Sequence, residues 1–162
     1  MKRLVVLRHA KSSWDFEGVS DIDRPLKTRG INDAYALSRE LKERLKGIDL
    51  VLCSPANRAL HTATIFSEGV GFAAEKIKVT AKIYEANESA LRKLIMEVDS
   101  TVNTLMVVGH NPTFTYFVNE MLPHPIYELP TTGCVIFNFD IESWAQLASS
   151  KLTEYTIHSP QR

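Results

Sequence analysis

Two arginines, two histidines and a serine each follow a short apolar run. Leu4-Val5-Val6-Leu7 leads into Arg8-His9, residues 49–53 lead into Ser54 and Arg58, and Leu105-Met106-Val107-Val108 leads into Gly109-His110. A guanidinium presents a fixed fork of donors that pairs with two phosphate oxygens at once, and it stays charged. An imidazole, with an ordinary pKa near ~6.5, is neutral at neutral pH and is an established covalent nucleophile. Gathered in one place, Arg8, His9, Arg58 and His110 would form a pocket for an anion with several oxygens. These residue types fit phosphoryl transfer, in which a protein supplies chiefly positioning and charge stabilisation.

The elements that must gather them are legible from hydrophobic period. Apolar runs at 4–7, 49–53, 105–108 and 134–139 read as buried strands, with a weaker one at 77–81 and a partner for the last at 152–157. Thr28 reads as the N-cap of a helix to about residue 46, with Ile31, Ala34, Leu37, Leu41 and Leu45 at helical spacing and Gly47 as its C-terminal cap. Pro55 opens a helix to about residue 68, ended by Gly69; Asn87 caps one over 88–98; another covers 113–121. Strands alternating with helices predict an α/β sandwich with a mainly parallel sheet, whose ligands bind beyond the carboxyl ends of the strands. All three clusters then lie on one sheet edge, with Arg58 in a first helical turn, where free N–H groups favour anions. Residues 10–26 follow neither period and hold Gly18 and Pro25, so they read as a long functional loop.

Composition excludes several classes. The 162 residues suit one domain over 1–162, and 44% hydrophobic with 23% charged residues is an ordinary globular balance. Zero net charge argues against a nucleic-acid-coating protein. Cys53 and Cys134 form no CxxC pair, so zinc and thioredoxin-type readings have no support. The N-terminal apolar run is too short for a signal peptide, and no stretch approaches the roughly 20 apolar residues of a membrane span. A cytoplasmic monomer with no nucleic-acid or membrane partner is expected. Neither GxxxxGK[ST] nor HExxH occurs.

At these residues the chain resembles the histidine phosphatase superfamily, the group that includes phosphoglycerate mutases and histidine acid phosphatases. Leu7-Arg8-His9-Ala10 is similar to its R-H-G signature, with alanine in place of glycine. The segment from Ser54 through Pro55, Arg58, Ala59, Thr62 and Ala63 is similar to S-P-x-x-R-A-x-x-T-A, and Gly109-His110-Asn111-Pro112 to the family's G-H segment. Asp23-Arg24-Pro25-Leu26-Lys27-Thr28-Arg29-Gly30 looks like its L-T-x-x-G stretch, and the R-P-L form with the short length is most similar to SixA-type phosphohistidine phosphatases. Each motif alone is weak; four in order over residues 4–122 are a specific pattern.

The resemblance implies a phosphoglycerate mutase-like three-layer α/β/α sandwich, mainly parallel with at least one antiparallel edge strand. It implies that His9 attacks phosphorus, that Arg8, Arg58 and His110 bind the phosphoryl oxygens, and that water hydrolyses the intermediate, with no metal or organic cofactor. The substrate would be a phosphomonoester or a protein phosphohistidine. In larger relatives an acidic residue after the third strand protonates the leaving group, and Glu85 stands roughly there. Arg24 either holds the loop through Asp21 or Asp23 or reaches the phosphate, and Ser12 is a further candidate donor. Trp14 and Phe16 either line the mouth or pin the loop. Three other readings compete: a phosphomutase, a non-catalytic phosphate-docking module, and a cysteine phosphatase using Cys53. The last needs Cys-x5-Arg, whereas four residues separate Cys53 from Arg58.

Overall fold

The computed structural model describes residues 1–161. Its strands are β1 (Lys2–Arg8), β2 (Leu50–Cys53), β3 (Lys78–Val79), β4 (Thr104–Gly109), β5 (Cys134–Phe139) and β6 (Leu152–His158). They form one six-stranded sheet in the order β3-β2-β4-β1-β5-β6. β1 pairs parallel with β4, and β2 pairs parallel with both β3 and β4. β5 runs antiparallel to β1 and to the edge strand β6. The expected mainly parallel sheet with antiparallel pairing toward one edge is therefore present.

The helices are α1 (Thr28–Glu40), α2 (Lys42–Leu45), α3 (Asn57–Val70), α4 (Ala81–Glu85), α5 (Glu88–Met96) and α6 (Thr113–Met121). Strand residues alternate between two cores. Val5, Leu7, Val51 and Cys53 pack with Ala34, Leu37, Ala63 and Phe66 of α1 and α3. Leu4, Val6, Leu105 and Val107 pack with Leu91, Ile95, Phe114 and Phe117 of α5 and α6. This makes three layers, with the sheet covered on both faces.

Four local readings are corrected. Thr28 is the first helical residue of α1 rather than its cap, and Lys27 precedes it without a side-chain cap bond. The expected single helix to residue 46 breaks at Leu41, and α2 completes it as one short turn. Gly69 lies inside α3, where a Cβ would meet Ser38 Oγ at 2.9 Å, so its lack of a side chain serves α1–α3 packing. The helix ends instead at Gly71, whose φ of 83° is the left-handed conformation of a helix C-terminus. The third strand shrinks to two exposed edge residues, and the next segment forms α4, a five-residue helix.

Candidate active site

The carboxyl ends of β1, β2 and β4 meet at one edge. His9 N–H donates to Gly109 O (3.0 Å), and Ser54 N–H donates to Val108 O (3.1 Å), so three strand exits are tied side by side. The chain enters antiparallel β5 at this same edge. Thr132 N–H donates to His9 O (3.1 Å) and Arg8 N–H to Gly133 O (3.0 Å). Here a cleft of about 570 Å³ opens, lined by Arg8, His9, Ser12, Arg24, Arg58 and His110. Lys11, Trp14, Asp21, Tyr84, Asn111 and Thr131 complete its wall.

His9 lies at the base, 7% exposed. Its Nδ1 is 2.7 Å from Ala10 O. A carbonyl only accepts, so the ring proton sits on Nδ1 and the lone pair on Nε2. Burial pushes the His9 pKa down to about 3; the Ala10 carbonyl opposes this, while His110, Arg58 and Arg8 reinforce it. Ala10 N–H donates to Thr62 Oγ1 (2.9 Å), which in turn donates to Arg58 O (2.7 Å). That chain links the residue after His9 to α3 and gives the threonine of the second motif its place.

His110 faces His9 with ring centroids 5.1 Å apart. Its Nε2 is 2.7 Å from Ser54 Oγ, which also accepts from Ala56 N–H at 3.2 Å. The serine's own hydrogen is thus available to Nε2, an assignment that puts the proton of the neutral ring on Nδ1. His110 Nδ1 is buried without a partner. Burial first, then Arg58, lowers the His110 pKa to about 4. A bound phosphoryl dianion acts in the opposite direction, favouring the charged ring.

Arg8 Nη1 donates to Leu129 O (2.9 Å) and lies 3.4 Å from Glu128 Oε1. Arg58, 5% exposed, donates from Nη1 to Asp21 O (2.6 Å) and from Nη2 to Asp21 Oδ2 (3.0 Å). The Nε atoms of both arginines are buried without partners. Unpartnered buried donors are costly in a finished core. All three residues, Arg8, Arg58 and His110, line the cleft, so the donors left over are gathered beside it.

Arg24 holds the loop, as one of the two readings expected, and lines the cleft. Its Nε donates to Asp21 Oδ1 (3.1 Å), its Nη1 to Ser12 Oγ (2.7 Å), and its guanidinium lies 3.5 Å from the centroid of the Trp14 ring. Ser12 lines the cleft, yet its hydroxyl holds Arg24. The Asp21 carboxylate also accepts from Tyr84 OH (2.6 Å), and these donors hold it at a pKa of about 2, the tyrosine contributing most. Sequence reading knew Asp21 only as a possible partner of Arg24; its i, i+3 spacing was the available signal. Gly30 permits this loop to pack, since a Cβ there would stand 2.2 Å from Lys11 O.

Glu85 is not in the cleft, which corrects the reading of it as an acid. It is exposed and lines a separate depression with Lys82, Lys93 and Glu97. Successive helical residues point about 100° apart, so α4 turns Tyr84 to the cleft and Glu85 away. Cys53 is fully buried in β2, with burial pushing its thiol up to about 12. It lines no part of the cleft and is no nucleophile there. Among the described residues no helix is long and apolar enough to cross a membrane.

Residues 4–104 match the family model of the histidine phosphatase superfamily (branch 1). An uncharacterized protein of Mycobacterium tuberculosis (strain ATCC 25618 / H37Rv) is 38% identical over 107 residues, which is 66% of this chain and 64% of that protein. The chain thus spans under two thirds of that relative. An uncharacterized Mycobacterium leprae (strain TN) protein is 27% identical over 167 residues, covering 96% of this chain and 100% of that one. A solved structure from Agrobacterium tumefaciens bearing the name "putative phosphohistidine phosphatase SixA" is 26% identical, covers 96% of this chain and 97% of its own, and superposes with a TM-score of 0.79. One from Nakamurella multipartitia with the same name shares the fold at a TM-score of 0.82 and 24% identity, covering 98% of this chain and 96% of its own.

Proposed function

This chain belongs to the histidine phosphatase superfamily, branch 1, with its phosphoglycerate mutase-like fold, and we propose that it hydrolyses protein phosphohistidine, without a metal, through a covalent phosphohistidine on His9. The observation that carries this reading is the His9 tautomer: neutral, Nδ1–H bound to Ala10 O, Nε2 free for attack at the base of a cleft lined by Arg8, Arg24 and Arg58.

The His9 Nε2 lone pair attacks phosphorus while the bond from phosphorus to the leaving group breaks. Arg8, Arg58 and His110 hold the equatorial oxygens as their charge grows. The product is a phosphorylated imidazolium whose Nδ1–H still rests on Ala10 O. Water then attacks phosphorus, the P–N electron pair returns to Nε2, and phosphate leaves with the proton released to solvent.

A nitrogen leaving group fits this cleft better than an oxygen one. An alkoxide needs a proton, and a general acid contributes typically ~10²–10⁴-fold. Among the described residues the cleft wall holds one carboxyl group, Asp21, which is kept ionised, and Glu85 faces elsewhere. A phosphohistidine protonated on its distal nitrogen leaves as neutral imidazole without further help. Transfer from one imidazole to another is also near-balanced in free energy, so the first step needs little driving force.

The test uses wild type and His9→Ala with a phosphohistidine-bearing protein and an aryl phosphate, in EDTA without added metal. The expected result is EDTA-insensitive turnover of the phosphohistidine protein, an acid-labile phosphoenzyme in wild type, and loss of both in His9→Ala. Phosphate binding with no phosphoenzyme makes the protein a docking module. Transfer from the phosphoenzyme to an acceptor in competition with water makes it a mutase.

A further inference from the structure

We infer that Asp21 is a specificity-determining residue of this cleft, selecting phosphoryl compounds whose leaving group carries positive charge over neutral phosphate esters. The inference rests on the phosphatase reading above and assigns a role to the one group in the wall that opposes phosphate.

The cleft wall carries four permanent or basic cations, Arg8, Lys11, Arg24 and Arg58, against the single carboxylate of Asp21. That carboxylate repels a phosphoryl dianion. Were its purpose only to hold the arginines, uncharged acceptors would serve: Leu129 O accepts from Arg8 Nη1 at 2.9 Å, nearer than Glu128 Oε1 at 3.4 Å, and Asp21's own backbone O already accepts from Arg58 at 2.6 Å. A negative charge there has a cost for every dianionic substrate and a return only where the substrate brings a compensating cation.

Position supports the assignment. In-line displacement puts the leaving group opposite His9 Nε2, outward from the base of the cleft. His9 is 7% exposed, whereas the Asp21 side chain is 47% exposed, so Asp21 stands toward the mouth. Its Oδ2 is fixed by Arg58 Nη2 and by Tyr84 OH, and the Tyr84 ring meets His110 edge-on at 5.5 Å. The carboxylate is therefore held beside Arg58 on the solvent side of the cleft, within the outward half into which the leaving group departs on this reading. A phosphoimidazolium there has its distal N–H charge stabilised before reaction. When the P–N bond breaks, the pair returns to nitrogen and the ring departs as neutral imidazole, keeping that distal proton.

The experiment measures kcat/KM at pH 6 for phosphoimidazole and 4-nitrophenyl phosphate with wild type, Asp21→Asn and Asp21→Ser. Asn keeps the shape and the acceptor for Tyr84 while removing the charge, and Ser provides a second charge-free variant. The expected result is a preference for phosphoimidazole that falls about five-fold, the scale of one charge about 4 Å away across water-like screening, which the half-exposed Asp21 side chain experiences, with KM for the aryl phosphate lowered. A common loss on both substrates, or a ratio that does not fall, overturns the inference and leaves Asp21 a positioning residue for Arg24 and Arg58. Wild type that turns over neither substrate overturns the phosphatase reading itself, a distinct outcome.

Discussion

Acidification from pH 7.5 to 5.0 should destabilise this protein through its two cleft histidines. His9 titrates at about 3 and His110 at about 4 in the native state, against ~6.5 in the unfolded chain. Below pH ~6.5 the unfolded state takes up protons that the native state refuses, so stability falls with pH through the window from ~6.5 down to those native values. At pH 5.0 each ring has crossed about 1.5 pH units of that window, at about 1.36 kcal/mol per unit. The loss is about 2 kcal/mol per histidine and about 4 kcal/mol for both, a large part of the ~5–15 kcal/mol typical of a whole domain. Asp21, held at about 2, stays ionised over this range and adds nothing. His158, also lowered by burial, acts in the same direction; comparison with His9→Gln cancels it. Urea unfolding at both pH values should show wild type losing about 2 kcal/mol more than His9→Gln. Equal losses would mean that His9 is not held neutral by the fold, and the nucleophile argument would lose its electrostatic basis.

Further outcomes follow from the cleft geometry. Arg58→Lys keeps the charge but loses the planar fork and its aim, and kcat/KM should fall on the order of 10²–10³-fold, the usual effect of removing one preorganised transition-state donor; steady-state kinetics with the phosphohistidine protein decides it. Glu85→Gln should leave kcat/KM within about two-fold on both substrate types, because its side chain lies in another depression; a loss on the scale of general acid catalysis would restore it as the proton donor.

What the sequence disclosed was whatever a strand end could signal. Arg8-His9, Ser54 and Gly109-His110 stand directly after buried runs, and parallel pairing brings such ends together by geometry alone. Arg58 lay in the first turn of a helix that Pro55 announced. Asp21 was obscured because its place depends on a short turn, Asp21–Asp23, inside a loop without period, and its partners Arg58 and Tyr84 are 37 and 63 residues away. Glu85 was read into the place that Tyr84 takes because α4 is one short helix, too brief to show an amphipathic period, yet its rotation decides which neighbour faces the cleft. Gly69 shows the same limit. It read as the stop, and only the approach of Ser38 marks it as a packing glycine, leaving the cap to Gly71.

The cleft departs from the local rules that most of the chain obeys. Leu, Val, Ile and Phe fill the two cores on either side of the sheet with almost no exposure, and the inner strands β1, β2, β4 and β5 are each paired on both sides. At the sheet's carboxyl edge, by contrast, three buried nitrogens on Arg8, Arg58 and His110 have no partner, and two histidines are denied the protons that solvent would give them. Each feature costs stability on its own. Together they describe the inverse of a phosphoryl group: donors without acceptors, positive charge in excess of its carboxylates, and a lone pair at the base. A six-stranded sheet with both faces buried can bear that cost at one edge, and a dianion that binds there relieves most of it at once.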